Sequence, residues 1–283
     1  MILRRANGEP ASARGKFSPL RRRAALWRGN FRKKTGASSR WISSNTHRIA
    51  FGWVAAMGLL VLTKILSLQV PVENGFDAMQ VILPYLLVGM APLLGYLIGR
   101  DAFAGEPLQP ATRLSRLGSW RDITASSARK SRHFGHAGLM ATLLVGLLGG
   151  VGLRTIEYAL TLPALNGHAP DWAHSLFMLA TAELVAMNFL YMVCFVMALR
   201  GTPLFPRMLL YTWLVDLALQ LTLARTYAKL DLPAEAVTAL ESILTSSGYG
   251  VLISAAIWLP YLILSERVNV TFRHRVSSEA SKA

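Results

Sequence analysis

The chain has 283 residues, of which 53% are hydrophobic and 16% charged, with a mean hydropathy of +0.37 and a formal net charge of +15. Soluble domains average roughly 45–50% apolar and about 25% charged residues, so an ordinary water-soluble globule is excluded. A pI of about 10.6 points to a polyanionic neighbour, nucleic acid or anionic lipid, and the positions of the cations decide between them.

Residues 1–47 hold 12 Lys and Arg, among them Arg21, Arg22 and Arg23, against the single acid Glu9. Such a segment buries too little apolar surface to offset its ordering entropy, so a disordered basic arm is expected. Each of its cations contributes about 1 kcal/mol on an anionic leaflet, which makes lipid headgroups the expected partner and not nucleic acid. The composition also suits a mitochondrial presequence, and the arginine run a twin-arginine signal. The first apolar run begins only near Ile49 and five more follow, so a topogenic arm is the favoured reading.

A bilayer core about 30 Å thick takes about 20 residues of helix. Six runs meet or approach this length: 49–72, 78–99, 137–153 with an extension to 162, 175–199, 208–224 and 242–265. Lys64 interrupts the first, and Pro84 and Pro92 are kink sites in the second. The third carries Thr142, Gly146 and Gly150 at four-residue spacing, a thin helix face open to a neighbouring backbone. That neighbour is expected within the chain, with a second copy as the alternative. The predicted fold is therefore all-α, a polytopic integral-membrane bundle of six transmembrane helices. It divides into a basic arm (1–47), a helix hairpin (48–99), a basic loop (100–136), a four-helix module (137–275) and a tail (276–283).

Of the 30 Lys and Arg, 26 lie in 1–48, 100–136, 200–207 and 266–283, all on one side of this topology. The other side holds Arg225 and Lys229 among Glu73, Asp77, Asp171, Asp231, Glu235 and Glu241. Both termini are accordingly expected in the cytoplasm. The 100–136 loop interleaves Leu114, Leu117 and Trp120 with Arg113, Arg116 and Arg121, which suits an interfacial helix and a solvated linker equally. One Trp is too few stacking platforms for single-stranded nucleic acid.

Charges inside spans are costly unless paired, protonated or solvated. Thr212, Asp216 and Gln220 form one polar stripe down the fifth run. Glu183 lies in the outer half of the fourth with Asn188 deeper, and Arg154 and Glu157 sit three apart near the outer end of the third. Arg154, Glu157, Glu183, Asp216 and Gln220 are thus the candidate intramembrane polar cluster. One reading makes it a proton- or ion-responsive site on a transport path. The favoured one makes it polar glue with Asp216 capped by Arg154, since no internal repeat brackets the cluster as transporter sites usually show.

No catalytic, cofactor or metal-binding residues are expected. Cys194 is the sole cysteine and sits in a span. His133 and His136 lie in the basic loop without acidic or sulfur co-ligands and read as solvated. The glycines at 149, 150 and 152 lie in an apolar run, and no nucleophile elbow, His-Glu-x-x-His or phosphate loop occurs.

The last quarter carries Trp258-Leu259-Pro260-Tyr261, Ser265-Glu266-Arg267-Val268 and Thr271-Phe272. At 100° per residue Trp258, Tyr261, Ser265, Val268 and Phe272 share one stripe. This predicts a helix running on past the membrane, loosened by Pro260 and anchored at the headgroups by Arg267. The sequon at Asn269 falls on the cytoplasmic side and is expected to stay unmodified. These motifs, with Phe205-Pro206 before the fifth run, resemble the signature of domain-of-unknown-function family 2569, bacterial four-span membrane proteins, over residues 137–275. Glu266 departs from the basic residue common there, and the arm and first helix pair are additions. The resemblance implies a bacterial inner-membrane location and supplies no substrate or reaction. The expected function is a non-catalytic interaction or accessory protein of the envelope, with a membrane-protein partner or a homo-oligomer. The alternative is a small-solute or proton-coupled transporter using Asp216 and Glu183.

Overall fold

A computed structural model describes residues 18–67, 74–105, 109–110, 118–165, 169–229 and 233–278. In chain order the elements are α1 (Ser18–Ser44), α2 (Thr46–Leu66), α3 (Gly75–Ala102), β1 (Trp120–Asp122), α4 (Ala125–Lys130), α5 (Leu139–Thr161), α6 (Asp171–Leu199), α7 (Phe205–Tyr227), α8 (Ala234–Leu264), α9 (Glu266–Arg273) and β2 (Arg275–Ser277). Among the described residues, five helices are long and apolar enough to cross a membrane: α2, α3, α5, α6 and the Leu244–Leu264 part of α8. The all-α membrane bundle expected from the apolar runs is therefore present, with a short two-stranded ribbon added. The 23-residue α7 has the length but not the apolarity. Asp216 and Gln220 on its buried face, and Arg207 and Arg225 near its ends, account for the difference.

At the centre stands α6, against which α3, α5 and α7 pack. The closest approach is with α3. A Cβ added at Gly95 would meet the Phe189 carbonyl oxygen at 2.7 Å, and one at Gly99 would meet Val196 at 3.2 Å. These two glycines, four apart, let the backbones close to a distance that any side chain would prevent. Hairpin and four-helix module thus share one interior. Against α3 lies the peripheral α2, where Trp53 donates Nε1–H to the Gly89 carbonyl at 2.8 Å. Lys64 reaches the free carbonyl of Leu162 at the end of α5, 2.9 Å away, a satisfied position for a cation in a span.

The small-residue face at Thr142, Gly146 and Gly150 does not serve as an intramolecular contact. Nothing lies within 4 Å of a Cβ added at Gly146 or Gly150, and Thr142 is exposed. Spacing shows that a helix face is thin, whereas only the course of the neighbouring helix decides whether the face is used.

At the basic end of the bundle the structure corrects three expectations. First, Ser18–Ser44 is helical and not a disordered arm. Its Arg, Lys, Ala and Leu are good helix formers, and it docks on the start of α5, where the Gly138 N–H donates to Thr35 Oγ1 at 2.9 Å and Ile42 joins the core. Second, the helix carrying the motif does not run straight on. Ser265 is extended (φ −68°, ψ 125°), ending α8 and starting α9, so Trp258 and Tyr261 belong to one helix and Val268 and Phe272 to the next. Third, Arg267 is not a headgroup anchor. Its Nη1 donates to the carbonyls of Phe134 (3.4 Å) and Gly135 (3.2 Å) in the basic loop.

The elbow is held by buried Asn269. Its Nδ2 donates to the carbonyls of Ile263 (3.1 Å) and Ser265 (3.0 Å) at the junction of α8 and α9. Its Oδ1 accepts from Arg273 Nη1 (3.0 Å) and Arg275 Nε (2.8 Å). Thr271 Oγ1 accepts from the Gly135 N–H at 3.0 Å, and Phe272 packs on Phe205 with ring centroids 5.1 Å apart. β2 then pairs antiparallel with β1, Arg121 opposite Val276, and Arg275 lies over the Trp120 ring. The part of the loop over 118–136 is thus latched to the C-terminal segment, whereas the interfacial-helix candidate around Leu114 and Leu117 lies outside the described residues. His136, read as solvated, packs against Phe272 and hydrogen-bonds the Ala198 backbone.

Candidate functional site

The polar cluster forms where α5, α6 and α7 run side by side. The Thr212, Asp216 and Gln220 stripe of α7 faces inward, with Asp216 fully buried. Arg154 of α5 reaches it with both terminal nitrogens, Nη1 to Oδ2 at 3.0 Å and Nη2 to Oδ1 at 2.9 Å. That two-pronged pairing suits the planar guanidinium. Nη2 also donates to Glu183 Oε1 of α6 at 3.2 Å. Two further donors complete Asp216: Tyr191 OH to Oδ2 at 2.7 Å and Gln220 Nε2 to Oδ1 at 2.7 Å. Four donors fill the roughly four lone-pair sites of a carboxylate.

Of the residues singled out from the sequence, the structure brings together Arg154, Glu183, Asp216 and Gln220. Glu157 is exposed at the rim of the same region. Tyr191 was not legible as a member. It lies under the Arg154 guanidinium, 5.6 Å from ring centroid to Cζ, and nothing in its spacing distinguishes its hydroxyl from an ordinary aromatic in an apolar run. Deeper in, Asn188 Nδ2 donates to Thr155 Oγ1 at 3.0 Å, and Cys194 Sγ lies 3.2 Å from Thr212 Oγ1. These contacts place Asn188, Thr212 and Cys194 in helix packing.

Two cavities flank this bolt and share Arg154, Glu157 and Ser247 in their walls. Toward the acidic end, a partly open cavity of about 100 Å³ is lined by all four helices α5 to α8. Toward the basic end, a cleft of about 410 Å³ opens between α5 and α8, with Asp216, Tyr191 and Trp213 at its floor and Gly146, Gly150, Ser246, Gly250 and Ser254 on its sides. One cation, Arg154, lies beside three carboxyl groups, Asp216, Glu183 and Glu157. Among the described residues, no three His, Cys, Asp or Glu side chains converge as a metal set.

Residues 138–273 match the family model for a protein of unknown function, DUF2569. Over that C-terminal stretch, a little under half of the chain, the protein is similar to this family. No curated protein and no solved structure matches the chain. The DUF2569 region runs from Gly138, the residue capping α5, to Arg273, the last of α9. It therefore contains the whole Arg154 bolt, both flanking cavities and the Asn269 elbow, while α1 to α4 lie outside it.

Proposed function

We propose that this is a multi-pass protein of the bacterial inner membrane that acts by interaction and not by catalysis, receiving a transmembrane helix of a partner protein in the cleft between α5 and α8. Six crossings are proposed, with α7 as the sixth, because it runs between α6 and α8 and packs on both. Both termini are assigned to the cytoplasm. The described N- and C-terminal segments meet at the end that gathers most Lys and Arg. The bacterial location rests on the family resemblance.

The observation that carries the reading is the open cleft. Added Cβ atoms at Gly146, Gly150 and Gly250 meet nothing within 4 Å, so a backbone from outside can approach closely there. Glu157 on its wall makes no ion pair with Arg154 and favours a partner helix bearing a basic residue at that depth. Asp216 is already saturated with donors, which suits a fixed recognition surface better than a group that must gain and lose a proton.

A photo-crosslinking residue at Gly146 or Ser254 in intact cells should give one adduct of discrete mass, and Gly150→Leu should abolish it. The same probe at Leu160, 82% exposed on the lipid-facing side, should give none. Equal labelling at Leu160, or no adduct from the cleft, refutes the reading. An adduct at twice the chain's own mass replaces the partner by a second copy.

A further inference from the structure

We propose that the smaller cavity, at the acidic end of the DUF2569 region, is a binding site for a small organic ammonium ion. This does not depend on the cleft reading, because the cleft occupant approaches from the other side of the Arg154 bolt.

In the cavity wall the carboxyl groups outnumber the cations. Glu183 and Glu157 line it, and the lone cation, Arg154, has both terminal nitrogens committed to Asp216 and Glu183. Gln220 supplies the independent observation. The residue is only 7% exposed, it lines the cavity, and its Oε1 is buried without a hydrogen-bond partner. Its amide cannot simply be reversed, because Nε2 donates to Asp216 Oδ1 at 2.7 Å and a carboxylate accepts only. The oxygen is thereby turned toward α8, 3.3 Å from where a Cβ on Gly248 would stand. A buried carbonyl left unpaired is destabilising, so a ligand that donates to it gains by doing so.

The walls define what that donor carries. Leu176, Leu184, Leu223 and Leu240 form the apolar part of the lining with the rings of Tyr158 and Tyr227. The tyrosine hydroxyls are engaged elsewhere, Tyr158 with Thr181 at 2.6 Å and Tyr227 with the Leu176 carbonyl at 3.4 Å; the Tyr158 ring packs on Tyr85 and Phe177, which leaves the Tyr227 ring for a cation. A metal ion needs oxygen ligands on several sides, and leucines cannot provide them. An alkylammonium suits both halves: three N–H donors for Gln220 Oε1 and the two carboxylates, and a short hydrocarbon against the leucines. A volume of about 100 Å³ holds a substituent of a few carbons.

The test is isothermal titration of the full chain in mild detergent with n-butylammonium, with sodium ion and n-butanol as comparison arms. Saturable binding is expected for butylammonium and for neither comparison ligand. Glu157→Gln, a change at an exposed position that leaves the bolt intact, should weaken it about tenfold, and Leu223→Trp, which fills the cavity, should abolish it. No saturable heat from butylammonium, equally tight binding of n-butanol, displacement by equimolar sodium, or an unchanged affinity in Glu157→Gln would each overturn the assignment.

Discussion

Replacing Arg154 by Met leaves Asp216 and Glu183 buried in the bundle without their cation, at nearly unchanged volume. Arg154 makes three hydrogen bonds to these carboxylates. At the average of about 0.6 kcal/mol found for polar pairs between membrane helices their loss amounts to about 2 kcal/mol, and breaking a buried ion pair from one side costs about 3–5 kcal/mol. Arg154→Met should therefore destabilise the chain by about 2–5 kcal/mol, read as reversible unfolding in mixtures of mild detergent and dodecyl sulfate followed by circular dichroism. Adding Asp216→Leu and Glu183→Leu should return stability to within about 1 kcal/mol of the parent, since an apolar trio of similar volume carries no desolvation penalty. If Arg154→Met alone lies within about 1 kcal/mol of the parent, or the triple variant is as unstable as the single one, the bolt does not hold these helices together.

Asn269→Ala removes four hydrogen bonds from the elbow and should cost about 3 kcal/mol, with faster amide exchange over 263–275 and at Gly135, whose N–H bonds Thr271. Gly95→Ala places a Cβ against the Phe189 carbonyl and should cost about 1–3 kcal/mol in the same unfolding assay, whereas Gly150→Ala should stay within about 0.5 kcal/mol. Burial lowers His136 from its ordinary value of 6.5, and the nearby Arg267 lowers it further. The folded state thus prefers the neutral ring. Stability at the basic end should be constant above pH 6.5 and fall as acid protonates the unfolded chain first, levelling off below the folded value. His133 is shifted the same way by burial and by Arg132, Arg267 and Arg32, against the pull of Glu266, so only His133→Gln with His136→Gln should flatten the profile. A flat parent profile between pH 5 and 7 would remove the histidines from this account.

Much of the membrane architecture was legible because it follows from length and polarity alone. The apolar runs became helices, and the Thr212, Asp216 and Gln220 spacing put three polar groups on one buried face. Arg154 as the cap of Asp216 followed from charge. What stayed hidden depends on single backbone angles and on distant neighbours. The extended ψ at Ser265 divides a stripe that periodicity reads as continuous, and no helical pattern announces it. The glycine pairs 95/99 and 146/150 have the same spacing, yet only the first meets a neighbour. The ribbon of β1 and β2 joins strands more than 150 residues apart, each too short to show an alternation.

That long-range latch has a bearing on biosynthesis. Ser119 and Ser278, 159 residues apart in sequence, are joined by two hydrogen bonds, so the loop after α3 cannot close until Ser278 has left the ribosome. During translation the earlier helices can enter the bilayer while Gly135 and Trp120 still await their counterparts. Severing the chain between α8 and α9 would strand that loop permanently, giving quality-control proteases a handle on a polypeptide whose helices are otherwise in place.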